Sequence, residues 1–328
     1  MLRGLLFSGS IQARPTVNPN DELPMPIERV IVGVDESGRS DHAIRAALSL
    51  ASKTNAAVEL IHSVQTPSAR WRSADPIRIA TLNAEALTQA SKSINKHLAD
   101  CFTDAKVNDQ PLESVLRILP GTPAKSILDQ TAQLPIGSTY VFVGPHKPKG
   151  LLDFGSTARS ILASSKHPVW IQNDEPRPIR KILVPIDLSD ECTQTLRVAL
   201  ELTEIFDAEI TVIHCFSVPT FAYSSNPEYP DLSPSYVIDD LRQSTEDHFH
   251  KVIADFDWNG RPHRSLFVVE EPVPTVLDMQ ERTDLIVMGT HGTTGFASAV
   301  LGSTAYEILK KATSPIVAVR HDKSDWLL

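Results

Sequence analysis

The heptapeptide Lys181-Ile182-Leu183-Val184-Pro185-Ile186-Asp187 repeats Arg29-Val30-Ile31-Val32-Gly33-Val34-Asp35, which lies 152 positions earlier. Each is a short run rich in Val and Ile, closed by Asp. Such runs read as strands buried on both faces of a parallel sheet. Working outward, the match continues in order. Glu59-Leu60-Ile61-His62 answers Thr211-Val212-Ile213-His214 at the same offset, and Val141-Phe142-Val143-Gly144 answers Ile286-Val287-Met288-Gly289. Gly155-Ser156-Thr157 answers Gly302-Ser303-Thr304, and His167-Pro168-Val169 answers Ser314-Pro315-Ile316. Matched blocks in one order mean a duplicated unit. Asn173–Pro178, with Pro176 and Pro178, reads as the linker.

Between the strands the period changes to that of a helix. Ala43, Ala47, Leu50 and Ala51 follow Ser40, which the pattern predicts as an N-cap. Ile79, Leu82, Leu87, Ala90, Ile94, Leu98 and Cys101 mark a longer amphipathic helix, and Leu241, Phe249, Val252, Ile253 and Phe256 mark its counterpart. Strand–helix alternation of this kind predicts a five-stranded parallel sheet per repeat, covered on both faces. Ligands of such sheets bind beyond the C-terminal strand ends, at the topological switch point.

Composition narrows the function classes. The chain has 328 residues, enough for two domains, and 41% are hydrophobic. With 31 Lys+Arg against 40 Asp+Glu the net charge is −9, which disfavours a nucleic-acid binder. Three cysteines build no disulfide framework and suggest a reducing, cytoplasmic setting. No apolar run reaches the roughly 18 residues of a membrane span. Residues 1–26, with four prolines and weak transit-peptide character, read as a disordered extension or a misassigned start, and 321–328 as a tail.

The chemistry sits at strand ends of the second repeat. Asp187 closes its first strand, and Cys215 its second, after His214. The fourth strand runs into Gly289-Thr290-His291-Gly292, and Gly302-Ser303 then opens a helix. Glycines admit close approach of the backbone to a phosphate and positive φ. A helix start offers free amides and the positive dipole end, and Ser303 and Thr304 add hydroxyls. His291 is read as solvated rather than catalytic. His62 and His214 are read as packed and hydrogen-bonded rather than as ligands, since no second ligand stands at metal spacing. Asp187 has two open readings: a ligand contact, or a cap on the following turn.

These motifs resemble the universal stress protein family, in a tandem form covering Glu28 to Arg320. Gly289, Gly292, Gly302, Ser303, Val184-Pro185-Ile186-Asp187, Val212-Ile213-His214-Cys215 and Ser314–Arg320 carry the resemblance. It implies a nucleotide-binding α/β fold, many of whose members bind ATP. On that analogy Pro185 and Ile186 form an apolar wall near the base, and Asp187 reaches the ribose or a metal. The backbone around Cys215 meets the adenine. Gly289 and Gly292 line the ribose–phosphate path, while Gly302, Ser303 and Thr304 hold the phosphates. The expected architecture is two tandem doubly wound five-stranded parallel-sheet domains, 27–173 and 179–320, with strand order 3-2-1-4-5. Exposed sheet edges need cover, so the fifth strands Pro168–Ile171 and Pro315–Val319 are expected to pair about a pseudo-two-fold axis. One chain then imitates a dimer, and a further homodimer stays open.

The repeats are not equivalent. Lys147 replaces the second loop glycine in the first repeat, and Pro145 and Pro148 remove amides there. Lys147 and Lys149 offer point charges instead; the favoured reading is that this repeat has lost its ligand. Residues 27–174 hold 16 Lys+Arg and 14 Asp+Glu, whereas 175–328 hold 13 and 24. The acidic excess thus belongs to the repeat with the intact loop, which points to a divalent cation, magnesium, accompanying ATP. Against this stress-related regulatory reading stand two others: a slow ATPase or nucleotidyl-type enzyme, and a nucleotide-free scaffold for an apolar metabolite or protein partner. No Gly-x-x-x-x-Gly-Lys-Ser/Thr occurs, so the P-loop class has no support.

Overall fold

The structure is a computed structural model, and it describes residues 26–36, 38–65, 75–107, 109–144, 155–218, 234–290 and 301–320. The first half contains β1 (Arg29–Gly33), α1 (Asp41–Thr54), β2 (Ala57–Val64) and α2 (Pro76–Cys101). A small ribbon of β3 (Lys106–Val107) and β4 (Gln110–Pro111) follows. Then come β5 (Leu116–Pro120), α3 (Pro123–Thr131), β6 (Thr139–Val143), α4 (Ser156–Ser164) and β7 (Val169–Ile171). The second half contains β8 (Lys181–Pro185), α5 (Cys192–Phe206), β9 (Glu209–Cys215), α6 (Pro234–Asp255) and β10 (His263–Val268). It closes with α7 (Pro272–Met279), β11 (Leu285–Gly289), α8 (Ser303–Lys311) and β12 (Ile316–Val319).

Ten strands form one sheet, in the order β10-β9-β8-β11-β12-β7-β6-β1-β2-β5. All pairs in it are parallel except β12–β7, where Val317 faces Trp170 in antiparallel register. Alternation along each strand sorts the core into two layers. Val30 and Val32 pack with α1, α2, α5 and α6, and Ile31 packs with α3, α4, α7 and α8. The first layer passes from one half into the other through Trp170 and Val317. The Trp170 ring stacks on Phe142 at 4.9 Å and meets the edge of Phe206 at 6.2 Å. Across the same seam, Tyr140 of β6 donates to Glu201 of α5 at 2.8 Å.

Duplication extends to rare backbone features. Asn55 and Asp207, 152 positions apart, both end their helices with positive φ, 59° and 51°. His62 and His214 each donate Nδ1–H to a carbonyl 2.9 Å away, Val34 O and Ile186 O. Both histidines are therefore hydrogen-bonded parts of the scaffold, as the sequence suggests. The first part of the linker is held to both halves: Asn173 donates to Ala312 O and Ser314 O, while Glu175 pairs with His42 and Arg45.

Two local expectations need correction. Ser40 precedes α1 but does not cap it with its side chain; its Oγ accepts the Asp35 amide instead, at 3.1 Å. The apolar stripe of α2 is buried only at Ala90, Ile94 and Leu98, while Leu82 and Cys101 are exposed. In α6, Phe249 and Ile253 are buried but Leu241 is exposed. The cause is length. A 26-residue helix spans about 39 Å, whereas a five-residue strand spans roughly 17 Å, so one end of α2 runs past the sheet.

Candidate functional site

In the sheet of the second half, β8 lies between β9 and β11. The chain leaves β8 toward β9 and later returns on the other side to make β11, which opens a crevice at the C-terminal strand ends. A cavity of about 280 Å³ occupies it. Pro185 and Ile186 line it from the end of β8, Cys215 from the end of β9, and Gly289 from the end of β11. Gly302, Ser303 and Thr304 line it from the start of α8, and Asp187 stands in its wall. Eight of the nine residues singled out in the sequence thus meet in one place. Gly292 lies outside the described residues, as do His291 and the loop positions Lys147 and Lys149.

Of the two open readings of Asp187, the cap on the following turn is observed. Its Oδ1 accepts the Ser189 amide at 3.1 Å and the Ser189 hydroxyl at 2.7 Å, which caps the turn. Its Oδ2 is buried and has no hydrogen-bond partner. The turn is achieved through Leu188, which takes φ 60°, a conformation costing a non-glycine residue about 1–2 kcal/mol. This turn brings Ser189 back onto one carboxylate oxygen and leaves the other without a partner. A buried acceptor without a donor is costly unless a ligand or cation completes it.

The end of the cavity at α8 is built from backbone. Gly302 N donates to Thr290 O and Thr290 N to Val319 O, both at 2.9 Å, so the two ends of the 291–300 segment are pinned together. The first bond within α8 is Tyr306 N to Gly302 O, which leaves the Ser303 and Thr304 amides at the positive end of the helix dipole. Gly302 has φ −57° and Gly155 φ −41°, so neither uses the positive-φ freedom that the sequence suggested. Gly144 is required by proximity: a Cβ there would stand 2.8 Å from Arg39 O.

The remaining wall is apolar or neutral. Burial pushes the Cys215 and Cys192 thiols up to about 11, so both stay protonated at neutral pH. Burial also lowers the His214 pKa, against the opposing effects of the Ile186 carbonyl and Asp187. Sequence reasoning missed Ser189, Thr195 and Val276 in the lining. Ser189 had a signal in its spacing two residues after Asp187. Val276 enters only because α7 packs on the crevice, which no local pattern reveals.

The sequence profile of the universal stress protein family matches residues 26–172 and again 178–320. The chain belongs to the universal stress protein family. A universal stress protein of Mycolicibacterium smegmatis is 24% identical over 303 residues, covering 89% of this chain and 96% of that protein. One from Methanocaldococcus jannaschii is 29% identical over 152 residues, covering 44% of this chain and 85% of its own length. Among solved structures, a universal stress protein from Archaeoglobus fulgidus superposes with a TM-score of 0.57 at 16% identity, covering 91% of this chain and 100% of that one. A functionally unknown protein from Pseudomonas aeruginosa gives 0.58 at 16% identity, with coverages of 90% and 93%. At such identities the superpositions speak for the fold alone. No helix among the described residues is long and apolar enough to cross a membrane.

Proposed function

We propose that the second half binds one ATP together with magnesium, and that the chain acts as a nucleotide-dependent regulatory protein of the cytoplasm rather than as an efficient catalyst. The observation that carries this reading is the buried, unpartnered Asp187 Oδ2, on a residue that lines the same cavity as the start of α8. The base would lie against Pro185, Ile186 and Cys215. The phosphates would take the Ser303 and Thr304 amides and hydroxyls, with Gly289 and Gly292 along the path between. Asp187 would hold the ribose or the cation, and the acidic balance of this half makes the cation the better partner. The same reading takes each half as a 3-2-1-4-5 unit and the β7–β12 pair as the pseudo-two-fold seam of an intramolecular dimer.

Isothermal titration of the full chain tests it. With magnesium present, about one ATP per chain is expected. Asp187→Asn should weaken binding on the order of 10–100-fold and should reduce the dependence on magnesium. Asp35→Asn, at the matching position of the first half, should change neither. Absence of binding with magnesium present would sink the reading. Native mass spectrometry that finds an apolar metabolite in place of nucleotide would favour the scaffold alternative.

A further inference from the structure

A cluster of metal-ligating side chains stands outside the crevice, between α1 and α2 in the first half. Asp41, the first residue of α1, accepts from His97 Nε2 at 2.8 Å. His97 Nδ1 lies 3.8 Å from the sulfur of Cys101. One ligand atom from each of the three lies within 4.8 Å of the others. His97 and Cys101 share a helix face because they are four residues apart. Asp41 is brought to them by the packing of α1 beside α2.

The arrangement suits a cation better than a reactive thiol. Cys101 is the last residue of α2, at the negative end of the helix dipole, and the last turn carries no basic side chain. Asp100 and Asp104 flank it in sequence. That environment favours a bound positive charge. The nearby guanidinium of Arg45 is taken up elsewhere: it lies 4.8 Å over the Phe102 ring and pairs with Glu175.

We propose that Asp41, His97 and Cys101 form a zinc site, open to water in the fourth position. Thiolate, imidazole and carboxylate together select a borderline-soft divalent ion over magnesium or calcium. Tetrahedral zinc with ligand bonds of about 2.0–2.3 Å needs ligand atoms roughly 3.3–3.8 Å apart. One ligand atom of each residue lies within 4.8 Å of the other two, with His97 giving a single ring nitrogen, so a contraction of about 1 Å reaches that range. Binding releases the Cys101 proton to solvent as the Zn–S bond forms; the His97–Asp41 hydrogen bond gives way to coordination as the neutral ring moves its one proton from Nε2 to Nδ1 through solvent. The backbone makes room for the ring: Gly38 has φ 70°, and a Cβ there would stand 3.1 Å from His97 Cε1. In the second half, Thr193 replaces Asp41 at the repeat offset. Matching the buried pair Ile94 and Leu98 to Phe249 and Ile253 puts apolar Val252 and Phe256 where His97 and Cys101 stand. The site belongs to the first half alone and does not depend on nucleotide binding.

Cobalt(II) titration of the reduced, metal-stripped full chain without nucleotide tests this. One cobalt per chain is expected, with near-ultraviolet thiolate-to-cobalt charge-transfer absorption that zinc abolishes by displacement. Cys101→Ser should remove the band, whereas Cys192→Ser and Cys215→Ser should keep it. His97→Gln and Asp41→Asn should each weaken binding about tenfold or more. Far-ultraviolet circular dichroism checks that each variant is folded, and exposed Cys101 tolerates Ser. A folded wild-type chain without the band, or a band that survives Cys101→Ser, overturns the proposal.

Discussion

The two halves share a fold but line their hollows with different elements. In the second half the space beside Asp187 opens toward α7 and α8, lined by Val276, Ala305 and Ile308. In the first half the hollow beside Asp35 opens toward α2 and is lined by His62, Val64, Ala86, Gln89 and Ala90. On the other side, Ile127, which matches Val276, packs so close to Gly33 that a Cβ there would lie 2.9 Å from its Cδ1. Gly33 stands where the second half has Pro185. One methylene more on α3 and a ring less on the strand therefore bring helix and strand together at the position where the second half keeps a cavity. Duplication copied the frame, and the side chains then gave each half its own surface.

The seam that holds the halves side by side is also unequal, and Trp170→Ala breaks it most severely. Loss of a ring fully buried between Phe142 and Phe206 should cost about 3–5 kcal/mol in chemical denaturation. Val317, its register partner in the second half, is smaller and should cost less on truncation.

The Tyr140–Glu201 pair crosses the seam in one direction only, since Leu285 and Ser49 stand at the matching positions. Burial pushes the Glu201 carboxyl from an ordinary 4.5 up to about 7, although the Tyr140 hydrogen bond opposes the shift. The folded chain then retains a proton that the unfolded chain releases between those values. Stability is lost as pH rises from 4.5 through about 7. The loss is on the order of 3 kcal/mol. Glu201→Gln should flatten that part of the pH–stability curve and raise stability at pH 8. An unchanged slope would remove Glu201 from the account.

Gly144→Ala sharpens the comparison between matching glycines. It drives a methyl against Arg39 O and should cost about 1–3 kcal/mol, without touching the proposed ATP binding. Gly289→Ala, in the cavity wall, should act on affinity first. The smallest expected effect is that of Ser189→Ala. It removes one of the two hydrogen bonds to Asp187 Oδ1 and should cost about 1 kcal/mol. The resulting change in affinity, a few-fold, is read by titration.

The repeat, the strands and the crevice were legible in the chain because each rests on local or periodic rules. Runs of Val and Ile specify buried strands, Asp187 and Cys215 fall at strand ends, and Gly302-Ser303 announces a helix start. The interaction of Ser40 with Asp35 was not legible, since a cap and a loop acceptor have the same local signature. The solvent exposure of Leu82 and Leu241 was hidden too, because a stripe of apolar residues does not say how far the sheet extends beneath it.

The order of residues alone therefore determined that one α/β unit is written twice and that its second copy concentrates hydroxyls, glycines and an acid at strand ends. Tertiary structure decided the rest. It left Asp187 Oδ2 without a partner, set Ile127 against Gly33, joined β7 to β12 and set Asp41 against His97 and Cys101. These are contacts between residues remote in sequence, and their outcome depends on side-chain volume and on the angle at which elements pack. A local pattern carries neither.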